Sequence, residues 1–576
     1  METIEFHSVR RIIDQPGVVE GIEVETINRM AARLREEVGG AVPPVPVGHE
    51  CYHLVIFGFG LGEHVARLAR QTKCKNLIIV EPNIEFLYHS LFTFEWSGFF
   101  DEFSSEDRKL HIIPEQSEQT IEFLVRDCVH PVAPHYVDGM TMVTSFDDEM
   151  LERVSRSIEE NALFLNMPMG FLMDECDMMR NAFNNLKGHQ GYYYKRKSYE
   201  NPLPALVVAT GPSIEQSIGV VKEYQDRAIV ISCGTVLRKL MAYGIVPDFH
   251  VEMENTPEIP DIIAREAGLH DLSSITLIAS FTVIGDVAKH FGNTVFYFRH
   301  DLAPSPVFST GDDSTVVHSF PTVSNLGFSY AQEIGCPEIY LLGVDLGARD
   351  TNQHHASDTA YDDNPALLKS PLDIPRPANF GDGVIMTDDV FLWAKDSLEK
   401  AITWGLTDTQ NAYNCSDGLR IDGATSMPAD DISLPALAVP KREIIEAETA
   451  SYPVYGRSDF DNAWNQVNLD NDIVAFRDEL LSTLQSPVTD GSAPAFELEF
   501  MRNLTAKLFP DDGVKNVILH FYQGSMFYPM RALHYWAMRG DAGARRQKII
   551  DIGRQELEHH IRAVADKVLE LNSSLH

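Results

Sequence analysis

Short apolar runs alternate with amphipathic stretches in the first part of the chain. The segment YHLVIFGFGLGEHVARLARQT (52–72) predicts a strand, a glycine turn and a helix, and NLIIVEPNIEFLYHSLF (76–92) predicts another strand and helix. This order is typical of βαβ units, in which a helix connects two parallel strands. The pattern continues to about residue 145, so we expect an α/β domain over residues 1–150.

A second alternating stretch begins at Leu203. Its strand candidates are the runs ALVVAT, AIVIS, DFHVEME, ITLIASF, TVFYFR and EIYLLGVDL, with helical segments or loops between them. These runs predict a larger α/β domain over residues 201–440, with a mainly parallel sheet. The Met-rich residues before it, 151–200, have helical patterning and predict a connector.

The strand pattern vanishes from about Ile445 onward. Apolar residues then recur about every 3.6 positions in 460–485 and 543–572, which is the period of an amphipathic helix. We therefore expect an all-helical domain over residues 441–576.

Composition narrows the class of protein. A chain of 576 residues is long enough for roughly three domains. It has no apolar stretch of the length that a membrane span needs, and its first residues lack the basic and apolar regions of a signal peptide. We therefore expect a cytoplasmic protein with no membrane partner. The seven cysteines form no CxxC pair, which disfavours a disulfide framework or a zinc knuckle.

The net charge of −37 changes what the chain is expected to bind. An acidic surface repels phosphate backbones, so a nucleic-acid partner is disfavoured. For the same reason, any anionic ligand must be held by local backbone donors and not by the overall field.

The glycine turn Gly58–Gly62 is one candidate for such donors. It follows a predicted strand, and Glu81 ends the next strand, which is the arrangement of a dinucleotide or S-adenosylmethionine site. A tight strand-to-helix turn also needs glycine for structural reasons alone. No catalytic motif of a methyltransferase or dehydrogenase follows the turn, so the sequence does not identify an enzyme that would use a cofactor there. The structural interpretation and the cofactor site both stay open.

The stretch Thr210-Gly211-Pro212-Ser213 is a second candidate. It ends the run ALVVAT and precedes a helical pattern, so free backbone N–H groups and the helix dipole would favour an anion there. A plain helix cap is the alternative.

Further polar residues lie at the other predicted junctions of this domain: Ser232, Gly234, Asp248, Glu252, Glu254, Thr322, Ser324, Asn325 and Asp345. In an open α/β sheet such junctions share one edge, where ligands bind.

These segments carry a resemblance. VVATGPSIE, AIVISCG, GIVPDFHVEMEN, SNLGFSYAQEIGCPEIYLLGVDL and the later HHA are similar to the motility-associated-factor (Maf) flagellin glycosyltransferases. The same domain is seen in hydroxymethylpterin diphosphokinase-like (MptE-like) proteins, and the segments GPS and GCPEIYLLGVDL also resemble bacterial CMP-sialic-acid sialyltransferases. The resemblance covers about residues 200–425, and the flanking segments fit the family layout. It implies an α/β chain with a Rossmann-like N-terminal domain, a central sialyltransferase-like domain and a helical C-terminal domain.

The resemblance also implies an activity. It is the inverting transfer of a nonulosonic acid, of the pseudaminic or legionaminic type, from its CMP ester to Ser or Thr of flagellin, in flagellum assembly. Flagellin and the CMP-activated sugar would be the partners, and no tightly bound cofactor is expected.

Residue roles follow by position. Gly211, Pro212 and Ser213 would line the CMP site, with Thr210 beside them where sialyltransferases of this kind carry Asn. Ser232 and Gly234 would support it, Ser324 and Asn325 would contact nucleotide or sugar, and Asp345 would orient the ligand.

His355, which best matches the family's His-Ala pair, is the expected base, since histidine has a pKa near neutral; His354 is the reserve. No metal site is expected from the adjacent histidines, because no third ligand is suitably spaced. Binding of Mg²⁺ by the carboxylate of Asp345, Asp248 or Glu252 remains an open possibility. The closing segment reads Ser416-Asp417-Gly418 where the family usually has Thr-Glu-Gly.

Other functions stay open as well. They are a pterin diphosphokinase-like transferase that uses ATP and Mg²⁺, a non-catalytic flagellin-binding protein, and a methyltransferase built on Gly58–Gly62.

Overall fold

The computed structural model describes residues 2–3, 21–38, 50–104, 108–116, 118–129, 133–137, 139–160, 170–188, 191–197, 201–300, 302–351, 355–360, 371–437, 439–485, 498–510, 516–539 and 544–575. The chain divides into two compact units. The first consists of residues 1–176 and 468–576, and the second of residues 177–467. In the described part of the chain, no helix has the length and apolarity to cross a membrane.

The strands are β1 (Glu2–Thr3), β2 (His53–Phe57), β3 (Asn76–Val80), β4 (Lys109–Ile113), β5 (Thr141–Thr144), β6 (Gly191–Tyr193), β7 (Ala205–Val208), β8 (Ile229–Cys233), β9 (Phe249–Glu252), β10 (Thr276–Ser280), β11 (Asn293–Tyr297), β12 (Glu338–Leu342), β13 (Ile374–Pro377), β14 (Val384–Thr387), β15 (Asn411–Asn414), β16 (Thr425–Ser426) and β17 (Val454–Tyr455).

The helices are α1 (Ile22–Val38), α2 (Glu63–Thr72), α3 (Ile84–Thr93), α4 (Trp96–Glu102), α5 (Glu118–Val129), α6 (Glu149–Glu160), α7 (Leu172–Gly188), α8 (Ile214–Tyr224), α9 (Leu237–Ala242), α10 (Glu258–Leu269), α11 (Ser305–Phe308), α12 (Val323–Glu333), α13 (Asp389–Lys400), α14 (Lys441–Ala450), α15 (Arg457–Trp464), α16 (Leu469–Leu484), α17 (Glu499–Leu508), α18 (Val517–Met538) and α19 (Ala544–Leu575).

The first unit is built on a five-stranded sheet in the order β1-β5-β2-β3-β4. The pairs β5–β2, β2–β3 and β3–β4 are parallel, and only β1 is antiparallel to its neighbour. Every residue of β2 and β3 is buried, as expected of parallel strands that are covered on both faces. The predicted βαβ order is therefore confirmed in this unit.

The helices from both ends of the chain pack together in the same unit. Glu556 of α19 accepts hydrogen bonds from Arg29 (3.1 Å) and Arg33 (2.8 Å) of α1. Near the start of α1, the carboxylate of Glu23 accepts a hydrogen bond of 2.8 Å from the hydroxyl of Ser525 in α18. The helices α16 to α19 confirm a helical C-terminal region, and residues 468–576 share a compact unit with residues 1–176. Residues 441–467, which the prediction placed in the helical domain, belong to the second unit and contain the strand β17 besides α14 and α15.

The second unit contains a ten-stranded sheet in the order β16-β15-β12-β7-β8-β9-β10-β11-β6-β17. Within it only β17 runs antiparallel to its neighbour. All six strands that the apolar runs predicted are present, as β7 to β12. The strand order proceeds from β7 to β11 on one side and turns to β12 on the other. The carboxyl ends of β7 and β12 therefore flank the switch point, where open α/β sheets bind ligands.

The glycine turn Gly58–Gly62 of the first unit also lies at such a switch point, between β2 and β5. Its backbone donors are taken by the protein itself. The carboxylate of Glu81 accepts from the N–H of Phe59 (2.7 Å) and of Gly60 (3.3 Å), and its other oxygen accepts from Asn83 N–H (3.0 Å). In a dinucleotide site the acid at this position would bind a ribose hydroxyl. Here Glu81 instead binds the backbone of the glycine turn.

Aromatic side chains fill the space around this turn. Phe59 is buried and stacks on Trp96, with 4.7 Å between the ring centroids. The ring of Phe146, which follows β5, lies 2.5 Å from where a Cβ on Gly58 would be. Together with the position of Glu81, this filling favours the structural interpretation of the glycine turn over a cofactor site.

We predict that Gly62→Ala lowers the free energy of unfolding of the first unit by about 2–4 kcal/mol, through backbone strain and crowding. Gly62 has φ +86°, and an added Cβ would lie 2.5 Å from the Phe59 ring. Denaturant-dependent hydrogen exchange of β2 and β3 measures the effect. Gly60→Ala is the matched control: φ is +52°, the nearest atom is 4.0 Å away, and the expected cost is about 1 kcal/mol. Equal costs would contradict the crowding.

Candidate functional site

A cavity of about 340 Å³ opens at the switch point of the second unit. The segments that follow β7, β8, β9 and β12 contribute to its wall, together with the N-terminal ends of α12 and α13. Of the residues predicted from the sequence, the following line it: Thr210, Gly211, Gly234, Glu252, Thr322, Ser324, Asp345 and His355. Pro212, Ser213, Ser232, Asp248 and Asn325 are absent from the lining.

The turn after β7 is held against the turn after β12. Gly211 N–H donates to the carbonyl of Gly343 over 2.8 Å. Ser213 N–H donates to Asp345 Oδ2 over 2.8 Å, and the Ser213 hydroxyl donates to the other carboxylate oxygen. From the sequence, Gly211 and Ser213 were expected to face a nucleotide phosphate; that expectation is wrong, because acceptors of the protein itself use their donors.

Gly211 is required for the contact between these two turns. A Cβ on this residue would lie 2.6 Å from the carbonyl oxygen of Gly343 and against the carboxyl group of Asp345. A side chain would therefore collide with the protein before it reached a ligand. The glycine is explained by the approach of two backbone segments, which is one of the reasons that glycine occurs at such turns.

Asp345 is fixed from a second side by the closing segment after β15. Its carbonyl accepts a hydrogen bond from Leu419 N–H over 2.8 Å. The hydroxyl of Ser416 accepts from Val344 N–H, also over 2.8 Å. The Ser416-Asp417-Gly418 segment thus positions the acid, and a side chain on Gly418 would overlap the Asp345 backbone. Burial raises the pKa of Asp345 to about 6, although the hydrogen bonds from Ser213 act against the rise.

Glu252 supplies a second buried acid at the end of β9. Its side chain lines the cavity although the residue is only 1% exposed. One carboxylate oxygen accepts from the N–H groups of Met253 (2.8 Å) and Glu254 (3.0 Å). Burial raises its pKa to about 7, so the carboxyl group carries a proton for part of the time at neutral pH.

The cavity is acidic. Four residues with carboxyl groups line it, namely Glu252, Glu254, Asp345 and Asp388, and its described lining includes neither Lys nor Arg. An anionic ligand in this cavity therefore needs hydroxyl or backbone donors, protonated carboxyl groups, or a cation that enters with it. Among the described residues, no group of three or more His, Cys, Asp or Glu side chains is arranged to hold a metal ion.

The N-terminal end of α12 contributes hydroxyl groups. The hydroxyls of Thr322 and Ser324 share a hydrogen bond of 2.7 Å, and both residues line the cavity. Asn325 lies beneath them and is fully buried. Its side-chain oxygen accepts from Thr322 N–H (3.2 Å), and its amide donates to the carbonyl of Ala394 (2.8 Å). The expectation that Asn325 contacts the ligand is thus corrected: it caps the helix and joins it to α13.

Two further predicted residues lie away from the cavity. Asp248 precedes β9 and accepts from Val230 N–H (2.7 Å) and from Lys441 Nζ (2.8 Å), so it lies at the amino edge of the sheet, opposite the cavity. Ser232 is buried within β8, and its hydroxyl shares a hydrogen bond of 3.2 Å with Nδ1 of His250. Both support the sheet, and Asp248 is excluded as a ligand for Mg²⁺ in this cavity.

His355 reaches the cavity on a loop that is fastened close to the turn after β7. Ala356 N–H donates to the carbonyl of Thr210 over 2.9 Å. Ser357 donates through both N–H (2.9 Å) and hydroxyl (2.7 Å) to the carboxylate of Glu215 in α8. The reserve candidate His354 lies outside the described residues.

A buried lysine completes this attachment. Nζ of Lys239, in α9, donates to Glu215 (2.8 Å) and to the carbonyl of Ser357 (2.9 Å), and its side chain is fully buried. Burial alone would raise the pKa of Glu215, but the hydrogen bonds from Lys239 and Ser357 bring it below the usual value. The loop that carries His355 is thus pinned by a lysine and a glutamate from two neighbouring helices.

Glu254, which was expected at this edge of the sheet together with Glu252, lines the cavity, whereas the lining residue Asp388 was not predicted. Asp388 caps α13 by accepting from Phe391 N–H over 2.8 Å, and the run TDDVF carries the usual pattern of a helix start. The sequence did not indicate that α13 would border the cavity, because a strand pair, β13–β14, separates it from β12 along the chain.

We predict that Lys239→Met releases the loop of His355. Removal of one partner of a buried ion pair costs about 3–5 kcal/mol, and the partial exposure of Glu215 brings the expected loss to about 2–3 kcal/mol. Hydrogen exchange at Ala356 and Ser357 should accelerate. Lys222→Met is the control, since that exposed lysine bonds only the carbonyl of Tyr243 among the described groups. Unchanged exchange at Ala356 would contradict the pinning.

Two family models match parts of this chain. A family model described as "Glycosyltransferase Maf N-terminal domain" matches residues 20–167, and one described as "6-hydroxymethylpterin diphosphokinase MptE-like" matches residues 176–351. A protein of Treponema pallidum (strain Nichols), described as uncharacterized, is 28% identical over 76 residues. That match covers 13% of this chain and 36% of the relative, so the chain spans about a third of that relative's length.

A solved structure matches over almost the whole chain. It is titled "Structure of MAf glycosyltransferase from Magnetospirillum magneticum AMB-1", has a TM-score of 0.77 and 27% sequence identity, and is matched over 99% of this chain and 89% of its own. The resemblance inferred from the sequence and the expected fold class are thereby confirmed. The chain is similar to the Maf glycosyltransferases in its N-terminal domain, its MptE-like domain and its fold, and this likeness supports a glycosyltransferase.

Proposed function

We propose that this protein transfers a nonulosonic acid from its CMP ester to Ser or Thr hydroxyls of flagellin, with inversion at the anomeric carbon. One observation carries the proposal: the segments that resemble the Maf family converge on a single cavity at the switch point of the second unit. That cavity brings together hydroxyl groups, titratable carboxyl groups and a histidine. These are the groups that an acid–base transfer to a hydroxyl acceptor needs.

The donor would lie against the turns after β7 and β8. Gly234, with φ +56°, and the hydroxyl-bearing residues Thr322 and Ser324 line the cavity. The Thr322 hydroxyl donates to Asn325 Oδ1 over 2.7 Å, so the Ser324 hydroxyl is the donor in the hydrogen bond that it shares with Thr322. Because the wall holds no described Lys or Arg, the phosphate of CMP would rely on a protonated Glu252 and on these two hydroxyls once they turn from their partners within the protein. Asp345 would act mainly by fixing the geometry of the turn, since Ser213 occupies both of its oxygens.

His355 would be the base. It would accept the proton of the acceptor hydroxyl as that oxygen forms a bond to the anomeric carbon. The bond from this carbon to the phosphate oxygen would break, and CMP would leave with the electron pair. Hydrogen bonds to the leaving phosphate would stabilise the charge that develops on it. No metal is required by this scheme, although Mg²⁺ at Glu252 or Asp345 would also neutralise the phosphate.

A second function deserves a test because two observations favour it. The central family model is that of a pterin diphosphokinase-like domain, and four carboxyl-bearing residues line the cavity. Carboxylate oxygens are the protein ligands that Mg²⁺ prefers, so an ATP- and Mg²⁺-dependent transferase would use the same wall differently. A non-catalytic flagellin-binding protein is the third possibility, and it would bind neither nucleotide.

We predict micromolar binding of CMP that weakens as the pH rises. With a pKa of about 7, Glu252 is mostly neutral at about pH 6 and mostly ionised at about pH 8, so its repulsion of the phosphate should lower the affinity up to about tenfold. Calorimetric titration with CMP and with ATP, with and without Mg²⁺, at both pH values gives the comparison.

Glu252→Gln is the matched variant for this titration. It stays neutral at both pH values, so its remaining pH dependence belongs to CMP itself. An equal slope in variant and wild type would remove Glu252 from the donor site. Preference for ATP with Mg²⁺ would favour the diphosphokinase. A failure of both nucleotides to bind would contradict both enzymatic proposals.

We also predict that His355→Ala lowers the transfer rate by about 10²–10⁴-fold while the affinity for CMP is kept, because a lost general base contributes a factor of this size. Mass spectrometry of flagellin incubated with the CMP-activated sugar measures the rate. His270→Ala, a partly exposed histidine outside the cavity lining, is the control. Unchanged turnover in His355→Ala would reject this base, and a loss in His354→Ala alone would assign the role to the reserve residue.

A further inference from the structure

The first unit exposes a group of large apolar side chains on and around α3. Their exposed fractions range from 36% to 74%, and Phe92 is the most exposed. We call this group the apolar patch; its members are Leu61, Ile84, Phe86, Tyr88, Leu91, Phe92, Phe100 and Phe146. Ser90 is the only residue of α3 that is buried. A helix of this composition would normally turn an apolar side toward a core.

One aromatic contact joins members of the patch that are distant in sequence: the ring centroids of Phe86 and Phe146 are 5.7 Å apart. Within α3, the rings of Tyr88 and Phe92 have centroids 5.5 Å apart. Phe100 contacts Trp96, which lies outside the patch, at 5.4 Å. The patch therefore extends from α3 to Phe146, just after β5.

The exposed area is that of an interface. Large apolar side chains present about 150–250 Å² each, so eight that are roughly half exposed offer on the order of 800 Å². The largest apolar patch on an ordinary monomer is about 300–600 Å², and a stable protein–protein interface buries about 800 Å² on each partner. The apolar patch is thus larger than the largest patch of an ordinary monomer, and its area is sufficient for one side of a stable protein–protein interface.

The charge around the patch decides what kind of partner fits. Residues 84–104 contain four acids, Glu85, Glu95, Asp101 and Glu102, and no Lys or Arg. Of these, Glu102 is paired with Arg70 of α2. A second copy of the chain would bring two acidic rims together, and an anionic lipid surface would be repelled in the same way. A partner with Lys or Arg around its own apolar surface is favoured.

The spacing within α3 indicates the shape of the partner. Ile84, Tyr88 and Leu91 follow one another at four and three positions, so they form a stripe along the helix. A stripe of this kind packs against the apolar ridge of another helix. We propose that the apolar patch docks an amphipathic helix of a partner protein, with basic residues flanking its apolar side. The proposal is independent of the transfer reaction, because the patch belongs to the first unit and the cavity to the second.

The test uses the full chain and a fluorescent 18-residue peptide of Leu and Lys in amphipathic helical register. The variant Leu91→Gln/Phe92→Gln removes two adjacent apolar side chains of α3 that are 64% and 74% exposed. It does not change the net charge. We expect at least a tenfold loss of peptide affinity, measured by fluorescence anisotropy. Leu269→Gln, at a residue 68% exposed on α10, is the matched control and should bind like the wild type.

A scrambled peptide of the same composition separates the patch from the general attraction of a chain with net charge −37. Equal binding of both peptides, or full binding by the double variant, would overturn the proposal. Two more measurements address the other occupants. A dimer of the wild type that the double variant abolishes would assign the patch to a second copy. Vesicle binding to phosphatidylcholine that the double variant abolishes would assign it to a lipid surface.

Discussion

The contact between Ser213 and Asp345 is the constraint on which the site depends. It crosses the point where the strand order of the large sheet turns, and it joins the segment after β7 to the segment after β12. Because both carboxylate oxygens are used, the two segments have one relative position, and Gly211 is needed to let them approach. The cavity is the space that remains beside this contact. Its shape is therefore fixed by bonds within the protein before any ligand enters.

In the smaller sheet, too, a buried acid binds the turn at the switch point, but aromatic side chains fill the space beside it. There the carboxylate of Glu81 accepts two N–H groups of the turn after β2, and in the larger sheet Asp345 accepts the N–H and the hydroxyl of Ser213 after β7. In both places an internal acid takes the position that a phosphate would occupy in a nucleotide-binding turn. The difference lies in what borders the turn: Phe146 fills the smaller sheet's crevice, whereas the larger sheet keeps about 340 Å³ open.

The amino-acid pattern predicted β2, β3 and β7 to β12 in their order along the chain, because buried parallel strands are nearly continuous apolar runs, and it did not indicate β6 or β13 to β17. It also placed Glu252 in the site, since junctions of such a sheet share an edge, whereas His355 was placed there by the resemblance to the Maf family. It did not distinguish side chains that face the cavity from those that hold the backbone. Asn325 and Ser213 are polar residues at the correct edge, yet their partners come from distant segments. Asp248 precedes its strand and so lies at the opposite edge.

The first unit is assembled from residues 1–176 and 468–576, with the second unit inserted between them in the chain. The bonds of Arg29 and Arg33 to Glu556 link positions more than five hundred residues apart. During synthesis, α1 can pack against α19 only after α19 has left the ribosome. By then all strands of the inserted unit have been made. All strands of both sheets are therefore made before α19, and the packing of α1 against α19 comes last in the order of synthesis.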